Sequence, residues 1–104
     1  MHALEFLVNG QRVCIAAPGR DGLVMSNIGM HGSLSNPDKC CVQFRVGGVN
    51  DDHHLEWLRR SLSLGDTVEI RFIDAPQSDP PVKIEPISDA ARERLRIASG
   101  DRAA

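Results

Sequence analysis

Apolar residues alternate with polar ones at a period of two in several separate stretches, and this constrains the fold more than any other feature of the chain. In the clearest stretch, Lys39 to Val46, the residues Cys40, Val42, Phe44 and Val46 fall on one side and Cys41, Gln43 and Arg45 on the other. Successive side chains of a strand point to opposite faces, so the spacing predicts a strand with one buried face. Gly47-Gly48 is expected to end it. Asp66 to Ile73 repeats the pattern, with Val68, Ile70 and Phe72 against Thr67, Glu69 and Arg71. Near the N-terminus, Leu4, Phe6 and Val8 alternate with Ala3, Glu5 and Leu7, and Val13 and Ile15 follow Asn9-Gly10. Asn-Gly between two alternating runs signals a two-residue hairpin, because both turn positions require positive φ. Strands are therefore expected near 3–8 and 11–16.

Pro18-Gly19-Arg20-Asp21-Gly22 reads as a turn, followed by a less regular strand near 23–30 and a Gly-, Ser- and Asn-rich loop over 31–38. Leu55, Leu58 and Leu62 stand at helical spacing, with Asp51 or Asp52 as an N-cap, Glu56 four residues before Arg60, and Gly65 beyond the end. This predicts a short helix over 51–62. Pro76, Pro80, Pro81 and Pro86 make residues 75–87 an extended segment in which Lys83-Ile84-Glu85 can add an edge strand. Ser88-Asp89 caps a second, loosely held helix over about 89–98, and the last five residues read as a disordered tail.

The length of 104 residues suits one domain, read as a β-rich body over 1–87 with the helix and tail over 88–104. The expected fold is mainly β: a small antiparallel barrel or sandwich of about five strands, with one short helix and a loose C-terminal helix. With one Trp and no Tyr, the core is expected to be aliphatic, with Phe6, Phe44 and Phe72 as its large anchors. The net charge of −2, with arginines interleaved among acids, disfavours nucleic-acid binding. The N-terminus lacks the basic and apolar regions of a signal peptide, and no apolar run approaches membrane-spanning length. Three cysteines suit a reducing compartment, so a cytoplasmic protein is expected.

Asp51-Asp52-His53-His54 is the densest group of metal-ligand types, but adjacent histidines splay apart and no further Cys or His stands at a matching spacing. Cys14, Cys40 and Cys41 lack the flanking base a catalytic thiol needs, and Cys40 reads as a core residue. The glycine pairs match no phosphate-binding fingerprint. No catalytic residue, metal or cofactor is therefore expected. Trp57 carries the binding question. On a helix it would lie opposite the three leucines, exposed, with His53, His54 and Arg60 as a polar rim. In an irregular segment it would be buried, the reading favoured for the only Trp of a small domain. Arg45 and Arg71 sit on the polar strand faces, which form either a solvated surface or a flat contact face.

His54-Leu55-Glu56-Trp57-Leu58, then Leu64-Gly65-Asp66-Thr67-Val68-Glu69-Ile70-Arg71, then Asp79-Pro80-Pro81 resembles a group of small uncharacterised bacterial proteins. Their pattern is an Asn-Gly hairpin, a Gly-Gly after a central strand, a leucine–tryptophan segment, a Gly-Asp-Val strand and an Asp-Pro-Pro ending. The resemblance covers most of residues 4–81 and implies no transferable activity. Genes of this kind resemble immunity or accessory proteins of bacterial conflict systems. The leading expectation is a non-enzymatic protein-binding module of that kind, either monomeric or a homodimer. The alternatives are a small metal-binding protein or enzyme using His53, His54 and a cysteine, and a barrel that binds a small ligand.

Overall fold

A computed structural model describes residues 1–19, 21–36, 38–50 and 53–87. The chain is mainly β, with two antiparallel sheets. Its strands are β1 (His2–Val8), β2 (Gln11–Ala16), β3 (Gly22–Gly32), β4 (Cys40–Asn50), β5 (His53–Leu62), β6 (Val68–Asp74) and β7 (Lys83–Pro86). One sheet has the order β2-β1-β6 and the other β3-β4-β5-β7. Among the described residues there is no helix, and none long and apolar enough to cross a membrane.

The Asn-Gly turn forms as its sequence requires. Asn9 has φ 53° and Gly10 φ 79°, and β1 and β2 pair on either side. The Asn9 side chain also reaches across the chain. Its oxygen accepts from the Thr67 amide at 2.9 Å, and its nitrogen donates to Asp66 Oδ1 at 2.9 Å. That bond, then one from the Ser63 amide, holds the Asp66 carboxyl below its ordinary value.

The segment expected to be a helix over 51–62 is strand β5 across 53–62; its supposed caps, Asp51 and Asp52, lie outside the described residues. Val46 faces Leu58 but Gly47 faces Glu56, so Trp57 is an extra residue, a bulge in β5. A one-residue bulge switches the parity of the strand. Leu55 before it and Leu58 and Leu62 after it therefore all turn to the core, and helical spacing arises in a strand.

Core residues come from both sheets: Phe6, Val8, Cys14 and Ala16 from one, Phe44, Val46, Leu55 and Trp57 from the other. Phe6 and Phe44 meet with ring centroids 5.9 Å apart and planes tilted by 52°. Phe72 corrects the third expected anchor. It pairs with Leu4 on the same face of the sheet but remains 75% exposed, because the second sheet does not reach over that end of β6. Cys40 likewise lies exposed at the start of β4, beyond the buried cluster.

Gly47-Gly48 does not end its strand; β4 continues to Asn50. The glycines allow β3 and β5 to close in. A Cβ at Gly48 would stand 2.1 Å from the Leu23 carbonyl oxygen, and one at Gly47 2.9 Å from that of Leu55. The expected helix over 89–98 and the tail fall outside the described residues.

Replacing Gly10 by Val forces a β-branched residue to φ near 79°, and is expected to destabilise the protein by about 1–3 kcal/mol. Urea denaturation measures this, and an unchanged midpoint would contradict the turn's role.

Candidate functional site

Trp57 is 5% exposed and belongs to the core. Its indole N–H donates to the Asp79 carbonyl at 2.8 Å, so the one polar atom of the ring is satisfied where it is buried. Asp79 belongs to a segment, residues 75–82, that runs from β6 of one sheet to β7 of the other. The segment is bonded along its length. Ser78 Oγ accepts from the Ala17 amide at 3.0 Å, and Asp79 Oδ2 accepts from the Ile15 amide at 2.8 Å. The Asp79 amide donates to the Ile15 carbonyl at 2.9 Å, and the Val82 amide to the Glu56 carbonyl at 2.8 Å. Asp-Pro-Pro is therefore a strap that occupies the edge of β2 and seats Trp57, more than a breaker of regular structure.

The rim imagined around an exposed Trp57 does not assemble. His53 lies on the core-side face and lines a hollow with Trp57 and Asp79, while His54 points to the opposite face. Arg60 is opposite Phe44 and exposed. Arg71 belongs to the other sheet, where it is ion-paired with Glu69 and lies 3.6 Å from Glu5. Among the described residues, no three His, Cys, Asp or Glu side chains converge in a way that could hold a metal.

Two of the singled-out residues, Arg45 and His54, do share a surface. They line a concave groove of about 500 Å³ on the outer face of the four-stranded sheet. Gly47 and Gly48 line its floor. Leu23, Met25 and Asn27 of β3 form one wall, and Lys83 and Glu85 of β7 the other. Arg59, whose place in the sequence suggests only a cation in the last turn of the expected helix, stands directly opposite Arg45 across β4 and β5. Like charges placed opposite each other on one face of a sheet repel by a few tenths of a kcal/mol or more. Arg59 is partly relieved by Glu56 at 2.9 Å, and Lys83 by Glu85 at 3.1 Å. Among the described residues Arg45 has no ion-pair partner. The signal for Arg59 lay in the register, which a bulge hides from any count along the chain.

The three thiols divide by burial. Cys14 is 4% exposed, and its burial, with the nearby Asp79 charge, pushes its pKa from 9.0 to about 11. Cys40 and Cys41 are exposed.

Comparison with family models, with curated proteins and with solved structures found no match.

Trp57→Ala removes a buried ring and its hydrogen bond, and is expected to cost about 3–5 kcal/mol; a loss below about half a kcal/mol would place the ring at the surface. In the native protein, iodoacetamide is expected to label Cys40 and Cys41 and spare Cys14. Cys14 also gives alkaline sensitivity. Its pKa is raised in the folded state, so stability falls from about pH 9, where the unfolded thiol ionises, towards about 11. A Cys14→Ala variant with an equally steep alkaline loss would contradict this.

Proposed function

We propose that this chain is a non-enzymatic protein-binding module, a two-sheet sandwich that holds an acidic segment of a partner polypeptide on the outer face of its four-stranded sheet. The observation that carries the reading is the pair of facing arginines, Arg45 and Arg59, above the Gly47-Gly48 floor. A partner carboxylate between the two guanidiniums would replace their mutual repulsion with two charge-assisted hydrogen bonds. His54 and Lys83 add donors along the groove, and Leu23 and Met25 add apolar contact at its β3 wall. The groove is open and lined by all four strands of its sheet, which suits a polypeptide better than an enclosed small molecule. The sequence resemblance favours an immunity-type or accessory protein of a bacterial conflict system, acting in the cytoplasm. In that setting the acidic segment belongs to the protein being neutralised or assisted.

A displayed library of random peptides, selected on the immobilised protein, tests the reading. Selected peptides are expected to be rich in Asp and Glu and to bind less tightly as salt is raised. Arg45→Glu is expected to weaken them by about tenfold or more, equivalent to about 1.4 kcal/mol, without lowering the melting temperature, since the introduced carboxylate would face Arg59. Selection of peptides without acidic bias, or unchanged binding to Arg45→Glu, would overturn it.

A further inference from the structure

A sheet edge is a row of unpaired backbone donors and acceptors, and proteins protect such edges with charges, proline, bulges, short strands or a covering segment. Three of the four edges here carry such devices. The amides of Ile15 in β2 and of Ala17 just past its end are taken by Asp79 and Ser78. Strand β7 is four residues long and contains Lys83, Glu85 and Pro86. Strand β6 carries Glu69, Arg71 and Asp74.

Among the described residues the fourth edge, β3, has none of them. It spans 11 residues, Gly22–Gly32, with no Asp, Glu, Lys, Arg or Pro. Its register with β4 runs unbroken from Gly22 opposite Asn50 to Gly32 opposite Cys40, so no bulge turns it away. Among the described residues no strand pairs with its free side. Its large apolar side chains are exposed as well: Met25 by 65%, Ile28 by 52% and Met30 by 74%.

We infer that β3 pairs antiparallel with β3 of a second copy of this chain, making a twofold homodimer with a continuous eight-stranded sheet. The sequence of the strand is self-complementary in the register that overlaps it fully. That register sets Asn27 opposite its own copy, where two carboxamides can exchange hydrogen bonds. Met25 comes opposite Gly29 of the copy, a position with only Asn27 Oδ1, at 3.6 Å, near where a Cβ would stand. The long thioether thus meets the residue that leaves it space. On the core-side face, Met30 comes opposite Val24, and Ile28 opposite Ser26, so apolar side chains at both ends gain cover. With no Asp, Glu, Lys or Arg in the strand, no like charges stand directly opposite each other in the β3–β3 pair, and one surface patch meets itself, as such an axis requires. Asn27 is opposite Arg45 within its own sheet, so the pairing joins the two outer grooves, with both copies of Arg45 flanking the axis. This pairing does not depend on what the groove binds.

Charge placed at the axis tests it. Sedimentation equilibrium across a concentration series is expected to give twice the chain mass for the wild type. Asn27→Lys and Asn27→Glu, each opposing its own copy, are expected to sediment as monomers at the same concentrations with unchanged circular dichroism. Mixing the two in equal amounts is expected to restore the dimer mass, because Lys then faces Glu. Hydrogen exchange on the wild type gives a second readout that needs no variant to fold: β3 amides should exchange more slowly as concentration rises. A wild type that stays monomeric with concentration-independent exchange, or an Asn27→Lys protein that remains a dimer, would overturn the inference.

Discussion

Burial of Trp57 against both sheets is the constraint on which the remaining structure depends. An indole ring cannot enter a core without a partner for its N–H, and the chain supplies one from far along the sequence, the Asp79 carbonyl. Holding that carbonyl in place requires the strap of residues 75–82, and holding the strap requires the edge of β2. One interaction thus ties the β5 bulge, the outer strand of the smaller sheet and the link into β7. The shared apolar cluster built around Phe6, Phe44 and Val46 supplies most of the burial. The strap is bonded to both sheets, to Ile15 in the smaller and to Glu56 and Trp57 in the larger.

The candidate site is a by-product of the same geometry. The bulge that turns Trp57 inward sets the register in which Arg59 faces Arg45. The glycines that let β3 and β5 approach β4 also line the groove. The strap closes one sheet edge while β3 remains open at the far side of the other sheet. Groove and open edge share Leu23, Met25 and Asn27, so a partner in the groove and a second copy on the edge would meet along one strand.

Much of this was legible in the sequence wherever one local rule acted alone. Positive φ at Asn9 and Gly10 follows from the residue types, and the strands around them and at Phe44 and Val68 follow from alternation. The edge strand at Lys83–Pro86 was also readable between its prolines. Strand β5 was not, because the bulge at Trp57 converts strand parity into the three-residue spacing of a helix. Phe72 was misplaced for another reason: alternation gives a face, but not how far the opposing sheet extends over it. Arg59 and the Ser78–Asp79 strap depend on register and long-range pairing, which no local pattern encodes. Of the residues singled out for binding, Arg45 and His54 are gathered into one groove, while Trp57, His53, Arg60 and Arg71 are separated by face or sheet.

The central claim is that the two sheets form one cooperative unit, locked where Trp57 meets the strap. The most direct test follows one urea titration with two probes. Trp57 fluorescence reports the junction, since this is the only Trp, and far-ultraviolet circular dichroism reports the strands of both sheets. The two transitions are expected to coincide in midpoint and slope. A fluorescence transition completed while the strand signal persists would show that the sheets stand without the junction, and would contradict the account.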